Sequence, residues 1–539
     1  MNKHFLSTSL ALMLCIGAAA QDKNAIRFST AINKDNAYKH LSVLASDEYE
    51  GRETGKKGAW MAADYIKEHF KSLGLKPPVD GGYFQPIDMV SYNLTQAIFT
   101  VDGQPKENLT DFVIPAGGVA MPGFTFNANE IVFAGFGLTK DGYNDYAGID
   151  VTGKVVMIFA SGDPTVPTGT PVAADRASRR KAMMMQMDKL KYLTEHGALA
   201  VIQIDSSLDH ITEGRKAMYS GTGEPKLKTP EATERMAKQK SFPSILVSTA
   251  TANEILKTSG TTAEALRVKL MSSKKPASQL IKVTVSASAM KNEVKVRAEN
   301  VLGFLEGTDP KLKKEILVVT GHYDHIGLTT SGTDKVNNGA DDDGSGTTAV
   351  LLLAEAFTNA KKAGHGPKRS VLFMTVVGEE KGLLGSEWYS EHPVFPLENT
   401  ITDLNIDMIG RVDETHTTDP EYVYIIGSDM LSSDLNAVGI KANKDYLKMN
   451  LDMKYNNRTD PNQFYYRSDH YNFAKHGIPV IFYFNGVHED YHQPGDEVSK
   501  INFNLLAKRA QLVYFTAWEL ANGAKRPAVD KNEDGTPKN

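Results

Sequence analysis

Five short β-type runs, each rich in continuous apolar residues, recur through the second half of this chain with helical stretches between them. They are Glu315–Thr320, Ser370–Val377, Asp403–Ile409, Tyr422–Ile426 and Pro479–Phe484; the alanine- and leucine-rich segment Thr347–Phe357 and the closing segment Asn504–Leu520 read as helices. Strands that are apolar on both faces must be covered on both faces. The pattern therefore predicts an α/β fold, with a doubly wound, mostly parallel sheet between helices. In such sheets ligands bind beyond the carboxyl ends of the strands.

The unusual residues sit at those ends. Gly321-His322-Tyr323-Asp324 follows the first run, and Gly339-Ala340-Asp341-Asp342-Asp343-Gly344-Ser345-Gly346 opens the helix after it. Gly378-Glu379-Glu380-Lys381-Gly382 follows the second run, and Asn405-Ile406-Asp407-Met408 lies within the third. His488-Glu489-Asp490-Tyr491-His492-Gln493-Pro494-Gly495-Asp496 follows the last. Each piece alone has an ordinary reading: a solvated N-cap loop, an acidic first helical turn, a satisfied histidine, a capping aspartate. Four such pieces in register with four strand ends do not. Three adjacent aspartates repel one another, and a helix N-terminus relieves only up to about 1 kcal/mol of that at an exposed site. A cation relieves far more. The chain has one cysteine, Cys15, so any metal must be held by His, Asp and Glu, a donor set that suits zinc, manganese or cobalt. The same count excludes a disulfide framework.

Hydrophobic residues at 41 % and charged residues at 23 % exclude a disordered chain and a multi-span membrane protein. With 60 basic and 65 acidic side chains there is no electrostatic footprint for nucleic acid. Lys3, the apolar stretch Phe5–Gly17 and Ala18-Ala19-Ala20 form a secretory signal pattern, which predicts a secreted or periplasmic protein with no membrane span once it is removed. Beyond the loop Gly51-Arg52-Glu53-Thr54-Gly55, the spacing of Trp60, Ala63, Ile66 and Phe70 predicts an amphipathic helix ended by Gly74. From about 100 to 285, short β-rich runs (Glu130–Phe136, Lys154–Ala160, Ala200–Ile204, Ser244–Ser248) alternate with glycine, proline and charged loops, as in a separate smaller domain. Met183-Met184-Met185 reads as a helix face with gap-filling methionines, and the tail after Asn522 as disordered.

The ordered set His-x-Asp, Asp-Asp-Gly-Ser-Gly, Gly-Glu-Glu-x-Gly-Leu-x-Gly-Ser, Asn-x-Asp-Met and Tyr-His-x-x-x-Asp resembles the secreted co-catalytic two-zinc aminopeptidases, relatives of glutamate carboxypeptidase II and the transferrin receptor. The resemblance covers about 290–520, with Leu44–Leu73 similar to the helical lead-in. It implies the zinc exopeptidase, phosphorylase/hydrolase-like fold with an inserted, β-rich protease-associated domain. The implied division is a signal at 1–20, an N-terminal peptidase part at 21–105, the insert at 106–285, the peptidase domain at 286–523 and a polar tail at 524–539. It further implies that His322 and Asp407 bind one zinc, Glu380 and His492 the other, and that Asp342 bridges the two. Asp324 would hydrogen-bond the far nitrogen of His322 from behind, Glu379 would be the general base and acid, and Tyr491 would donate to the developing oxyanion. Three carboxylates against two divalent ions leave one positive charge, which one bridging hydroxide balances.

The implied activity is removal of N-terminal residues from peptides that carry a free N-terminus. A carboxypeptidase or dipeptidase of the same fold is the alternative; there Arg467 or Arg458 could clamp a substrate carboxylate. A catalytically inactive, receptor-like binding protein is a further alternative, and it would be expected to have lost ligands. His488, His470 and His325 have no place in this set.

Overall fold

The computed structural model describes residues 21–115, 123–140, 142–166, 176–220, 223–231, 233–234, 242–532 and 534–538. The signal pattern at 1–20, with Cys15, lies outside them. Among the described residues no helix is long and apolar enough to cross a membrane.

The apolar runs form an eight-stranded mixed sheet. Its order is Phe84–Pro86, Glu299–Leu305, Ser370–Val376, Ile316–His322, Thr400–Ile406, Val480–Phe484, Tyr422–Ile426 and Asn450–Asp452. The four central strands are parallel. Antiparallel pairings flank them on both sides. Every residue of Ile316–His322, Ser370–Val376 and Thr400–Ile406 is buried. The period of two along a strand sorts those side chains between two cores. Leu317, Val319, Val371, Phe373, Leu404 and Ile406 join the core under helices Gly346–Lys362 and Phe503–Asn522. Ile316, Val318, Leu372 and Met374 join the opposite core, with Tyr389, Phe473 and Phe482.

The expected amphipathic helix is Lys57–Leu73. It buries Ala59, Ala62, Ala63, Ile66 and Phe70, and Gly74 caps it at a φ of 80°. Trp60 lies on its flank, where the indole N–H donates to the Arg297 carbonyl at 3.0 Å. Burying a side chain such as Phe70 contributes about 1.5–3 kcal/mol, which ties this helix to the sheet more firmly than its propensity alone.

A second, nine-stranded sheet is built on the long antiparallel strands Met89–Val101 and Gln279–Val296. Gly123–Phe133, Val155–Phe159, Ala200–Ile204 and Ser244–Val247 extend it in that order. Its own core includes Phe99, Phe133, Met157, Ile202, Ile245 and Val285. The chain enters this sheet at Met89 and leaves at Val296, so the sheet also takes in 89–105 and 286–296. The methionine run is helical, within Arg176–Glu195. Met183 and Met184 are nevertheless 65 % and 57 % exposed, and only Met185 of the three packs against the core.

The polar tail departs from the sequence expectation. It folds back on the 429–434 segment, where the Asp530 N–H donates to the Leu431 carbonyl and Asp530 accepts from the Ser433 N–H. Arg526 donates to the carbonyls of Glu398 and Thr400. Val529 also packs against the core on that side of the sheet.

Candidate metal centre

The central strands deliver their terminal residues to one edge. His322 is the last residue of Ile316–His322, and Asp407 directly follows Thr400–Ile406. Glu379 and Glu380 lie in the turn after Ser370–Val376, and Tyr491 and His492 in the turns after Val480–Phe484. Asp342 sits in the tight turn that leads into helix Gly346–Lys362; the Asp342–Asp343 peptide is cis.

The Asp342 carboxylate lies between two imidazoles, with one oxygen toward each. Its Oδ1 is 3.4 Å from His322 Nε2, and its Oδ2 is 3.1 Å from His492 Nε2. Around His322 the other oxygens are Asp407 Oδ1 at 3.7 Å and Glu379 Oε2 at 3.9 Å. Around His492 there is Glu380 Oε2 at 3.0 Å. A third imidazole joins them. His325 Nδ1 is 2.8 Å from Glu380 Oε1 and 3.8 Å from Asp342 Oδ2.

These groups are buried yet incompletely satisfied. His322 Nε2, His492 Nε2, Asp342 Oδ2, Glu380 Oε1 and both nitrogens of His325 have no hydrogen-bond partner. Orphaned buried polar atoms are costly and rare. Here they converge from several chain segments, all of them imidazole nitrogens or carboxylate oxygens. This donor set fits zinc or a similar divalent ion.

The neighbours of Asp342 are occupied otherwise. Asp343 accepts the backbone N–H groups of His322, Gly346 and Met408. Asp341 accepts from the Gly410 N–H and the Ser345 hydroxyl, and its Oδ2 is 3.2 Å from His488 Nε2. Asp496 accepts the N–H groups of both Asp341 and Asp342. Asp343 also lies close enough to His322 and Asp407 for a metal cluster, but its carboxylate is already spent tying three segments together. Asp342 is the member of the triplet that lies against both His322 and His492.

Asp324 lies behind His322, but its carboxylate does not make the expected contact. His322 Nδ1–H donates to the Asp324 main-chain carbonyl at 3.0 Å, while the carboxylate stands 3.8 Å away. A carbonyl only accepts, so it fixes the tautomer that leaves Nε2 free for a metal. The carboxylate itself accepts from the Thr54 hydroxyl at 2.6 Å and the Glu379 N–H at 3.3 Å.

The electrostatics divide the acids into two kinds. Burial opposes ionisation of Asp342, but contacts with His322, His325 and His492 hold it well below the usual carboxylate range. Glu380 is held at about 2, against burial and the Asp342 charge, by His325 and His492. Its neighbour Glu379 goes the other way. Burial, helped by the Glu380 and Asp407 charges, pushes it well above the usual range against the pull of His322. Two adjacent glutamates driven apart in this way are suited to different tasks. Tyr491 stacks on His492, with ring centroids 3.9 Å apart, and shares a pocket with Asp342, Glu379 and Asp407.

The loop Gly51–Gly55 underpins the centre. Arg52 is fully buried and donates to the carbonyls of Tyr323, Leu44, Asn338 and Gly339 at 2.6–2.8 Å. Its own carbonyl accepts the His325 N–H. Gly51 holds a φ of +64°, and a Cβ there would meet the Asn337 carbonyl at 2.4 Å.

Residues 300–517 match the model of peptidase family M28. The matched segment contains His322, Asp342, Glu379, Glu380, Asp407 and His492, the residues on which the motif resemblance rests. Among curated relatives, a probable leucine aminopeptidase of Trichophyton verrucosum is 30 % identical over 39 % of this chain and 56 % of its own length. A probable zinc metalloprotease of Pyrenophora teres f. teres is 27 % identical over 44 % and 54 %. Aminopeptidase YwaD of Bacillus subtilis is 24 % identical over 46 % and 50 %. The chain spans about half the length of these curated relatives. Among solved structures, an aminopeptidase from Aneurinibacillus sp. strain AM-1 covers 96 % of this chain and 100 % of its own, at 19 % identity and a TM-score of 0.52. At that identity the likeness concerns the fold.

Proposed function

We propose that this chain is a secreted, zinc-dependent aminopeptidase that removes N-terminal residues from peptides with a free N-terminus. The observation that carries the reading is the Asp342 carboxylate, one oxygen toward His322 and the other toward His492. On this reading His322 and Asp407 hold one zinc, Glu380 and His492 hold a second, and Asp342 serves both. Bound zinc supplies Lewis acidity to the scissile carbonyl and lowers the pKa of water toward neutrality.

The chain's own groups do the rest. Glu379 takes a proton from the attacking water on its free carboxylate and passes it to the leaving amine. A positioned base of this kind contributes about 10²–10⁴-fold. The Tyr491 hydroxyl donates to the oxygen on which negative charge develops. The main-chain carbonyl of Asp324 keeps His322 in the tautomer that binds metal, and Asp324's carboxylate holds the Glu379 backbone. His325, against Glu380, orients that carboxylate. The second sheet is read as a protease-associated insert beside the peptidase domain.

The test is hydrolysis of an aminoacyl-anilide panel beside N-blocked analogues, with and without a chelator. The proposal expects cleavage of the unblocked anilides alone, abolished by chelation and restored by zinc. Cleavage of the N-blocked substrates at equal rate would overturn the exopeptidase reading.

A further inference from the structure

A small pocket opens beside the carboxylates. Its walls include Phe464, Phe482 and Phe484, all at least nine-tenths buried. Glu379 and Asp407 face the same space, and so does one cation, Arg467.

Arg467 differs from the other arginines of this region. Arg411 is paired with Asp490 at 3.0 Å. Arg458 is turned away onto Met430, with its Nη2 donating to the Met430 carbonyl at 3.1 Å. Arg509 is held by the carbonyls of Tyr422, Ile409 and Arg411. Among the described residues no carboxylate lies within ion-pair distance of Arg467; its guanidinium lies over the Phe464 ring, 5.0 Å from the centroid. The acids that share its pocket are turned to imidazoles instead: Asp342, Asp407 and Glu379 all lie within 4 Å of His322. Contact with an aromatic face uses none of the guanidinium N–H groups, and a guanidinium matches a carboxylate in a bidentate fork.

We infer that Arg467 determines specificity in this pocket by taking a carboxylate of the peptide substrate. This rests on the aminopeptidase reading and adds a substrate class to it. The carboxylate has two sources: the side chain of an acidic N-terminal residue, or the terminal carboxylate of a dipeptide. The phenylalanine walls suit the methylene stem of an acidic side chain, or the apolar side chain beside a dipeptide's terminal carboxylate.

The experiment measures kcat/KM for two matched pairs, glutamyl-anilide against glutaminyl-anilide and Leu-Leu against Leu-Leu-amide, in the wild type, Arg467→Gln and Arg467→Lys. The inference expects one pair to show a preference for the charged member, and that pair identifies the source. Arg467→Gln lowers that charged-to-neutral ratio about 10- to 100-fold, the size of a charge-assisted hydrogen bond. Arg467→Lys restores part of it, because the charge returns without the fork. Each ratio is internal to one variant, so a loss of folded protein cancels. Ratios that stay within twofold of wild type in both pairs overturn the inference. If the wild type cleaves none of these substrates, the aminopeptidase reading fails separately. Calorimetric titration with L-glutamate and L-glutamine then decides about Arg467. Tighter glutamate binding that Arg467→Gln removes supports it; equal binding, or none, overturns it.

Discussion

Replacing Arg52 by methionine removes one side chain from beneath the whole centre. The guanidinium donates four hydrogen bonds, to the end of helix Lys34–Leu44, to Tyr323 beside His322, and to Asn338 and Gly339 at the entrance to the aspartate turn. Asp343, Asp496, Asp342 and Asp324 all act on its charge. Hydrogen bonds to a charged group contribute about 1.5–3 kcal/mol each. Four contacts made by one group do not add, and removing one partner from a buried charged network costs about 3–5 kcal/mol. The expected loss is therefore about 4 kcal/mol, a large part of a domain stability of about 5–15 kcal/mol. Arg52→Lys recovers less than half, because one ammonium nitrogen cannot satisfy four carbonyls on three segments. Trp518 belongs to a core of the eight-stranded sheet, Trp388 packs against that core, and Trp60 donates to the Arg297 carbonyl beside the strand Glu299–Leu305, so urea unfolding followed by tryptophan fluorescence reads this part of the chain. Zinc content measured on the same samples should fall with stability. A loss below about 1 kcal/mol in Arg52→Met, with zinc content unchanged, would refute the argument.

Glu379→Gln keeps metal and loses about 10²–10⁴-fold in kcat; wild-type turnover by this variant would remove Glu379 from the role of base. Asp342→Ala loses metal from both positions together, read by elemental analysis, whereas one zinc retained at full occupancy contradicts a shared ligand. His40 and His69 are held at about 3 and about 4 by burial, His40 further by its neighbour His69. Their folded values lie below the unfolded value, so the stability they permit is complete above about pH 6.5 and is lost as the pH falls toward 4. Two imidazoles contribute up to about 2.7 kcal/mol per pH unit at about pH 5. The double variant H40F/H69L should flatten the fall in stability between pH 6.5 and 4.5, and an unchanged slope would count against it.

The strands were legible because burial on both faces writes an unbroken apolar run. The donors were legible because they fall at the ends of those runs. The edges of the sheet were less so. Glu299–Leu305 pairs antiparallel with Ser370–Val376, and an antiparallel neighbour buried on both faces has the same composition as a parallel one. His325 was missed because its placement is set from far away, by the Arg52 carbonyl and the Glu53 bridge. The one signal for it was its position three residues beyond His322. Arg52 itself reads as a solvated cation in a glycine loop, since nothing local reveals four carbonyl acceptors brought in from residues 44, 323, 338 and 339. The backbone contact behind His322 was invisible for the same reason: a carbonyl carries no residue type. The tail misled because its polar side chains bond to main-chain groups.

The central claim is that the acids and imidazoles around Asp342 form a metal centre. Elemental analysis of the purified, chelator-washed and zinc-reconstituted protein tests it most directly. The account predicts about two zinc ions per chain, falling together in Asp342→Ala. A wild-type protein that retains well under one zinc per chain would contradict it.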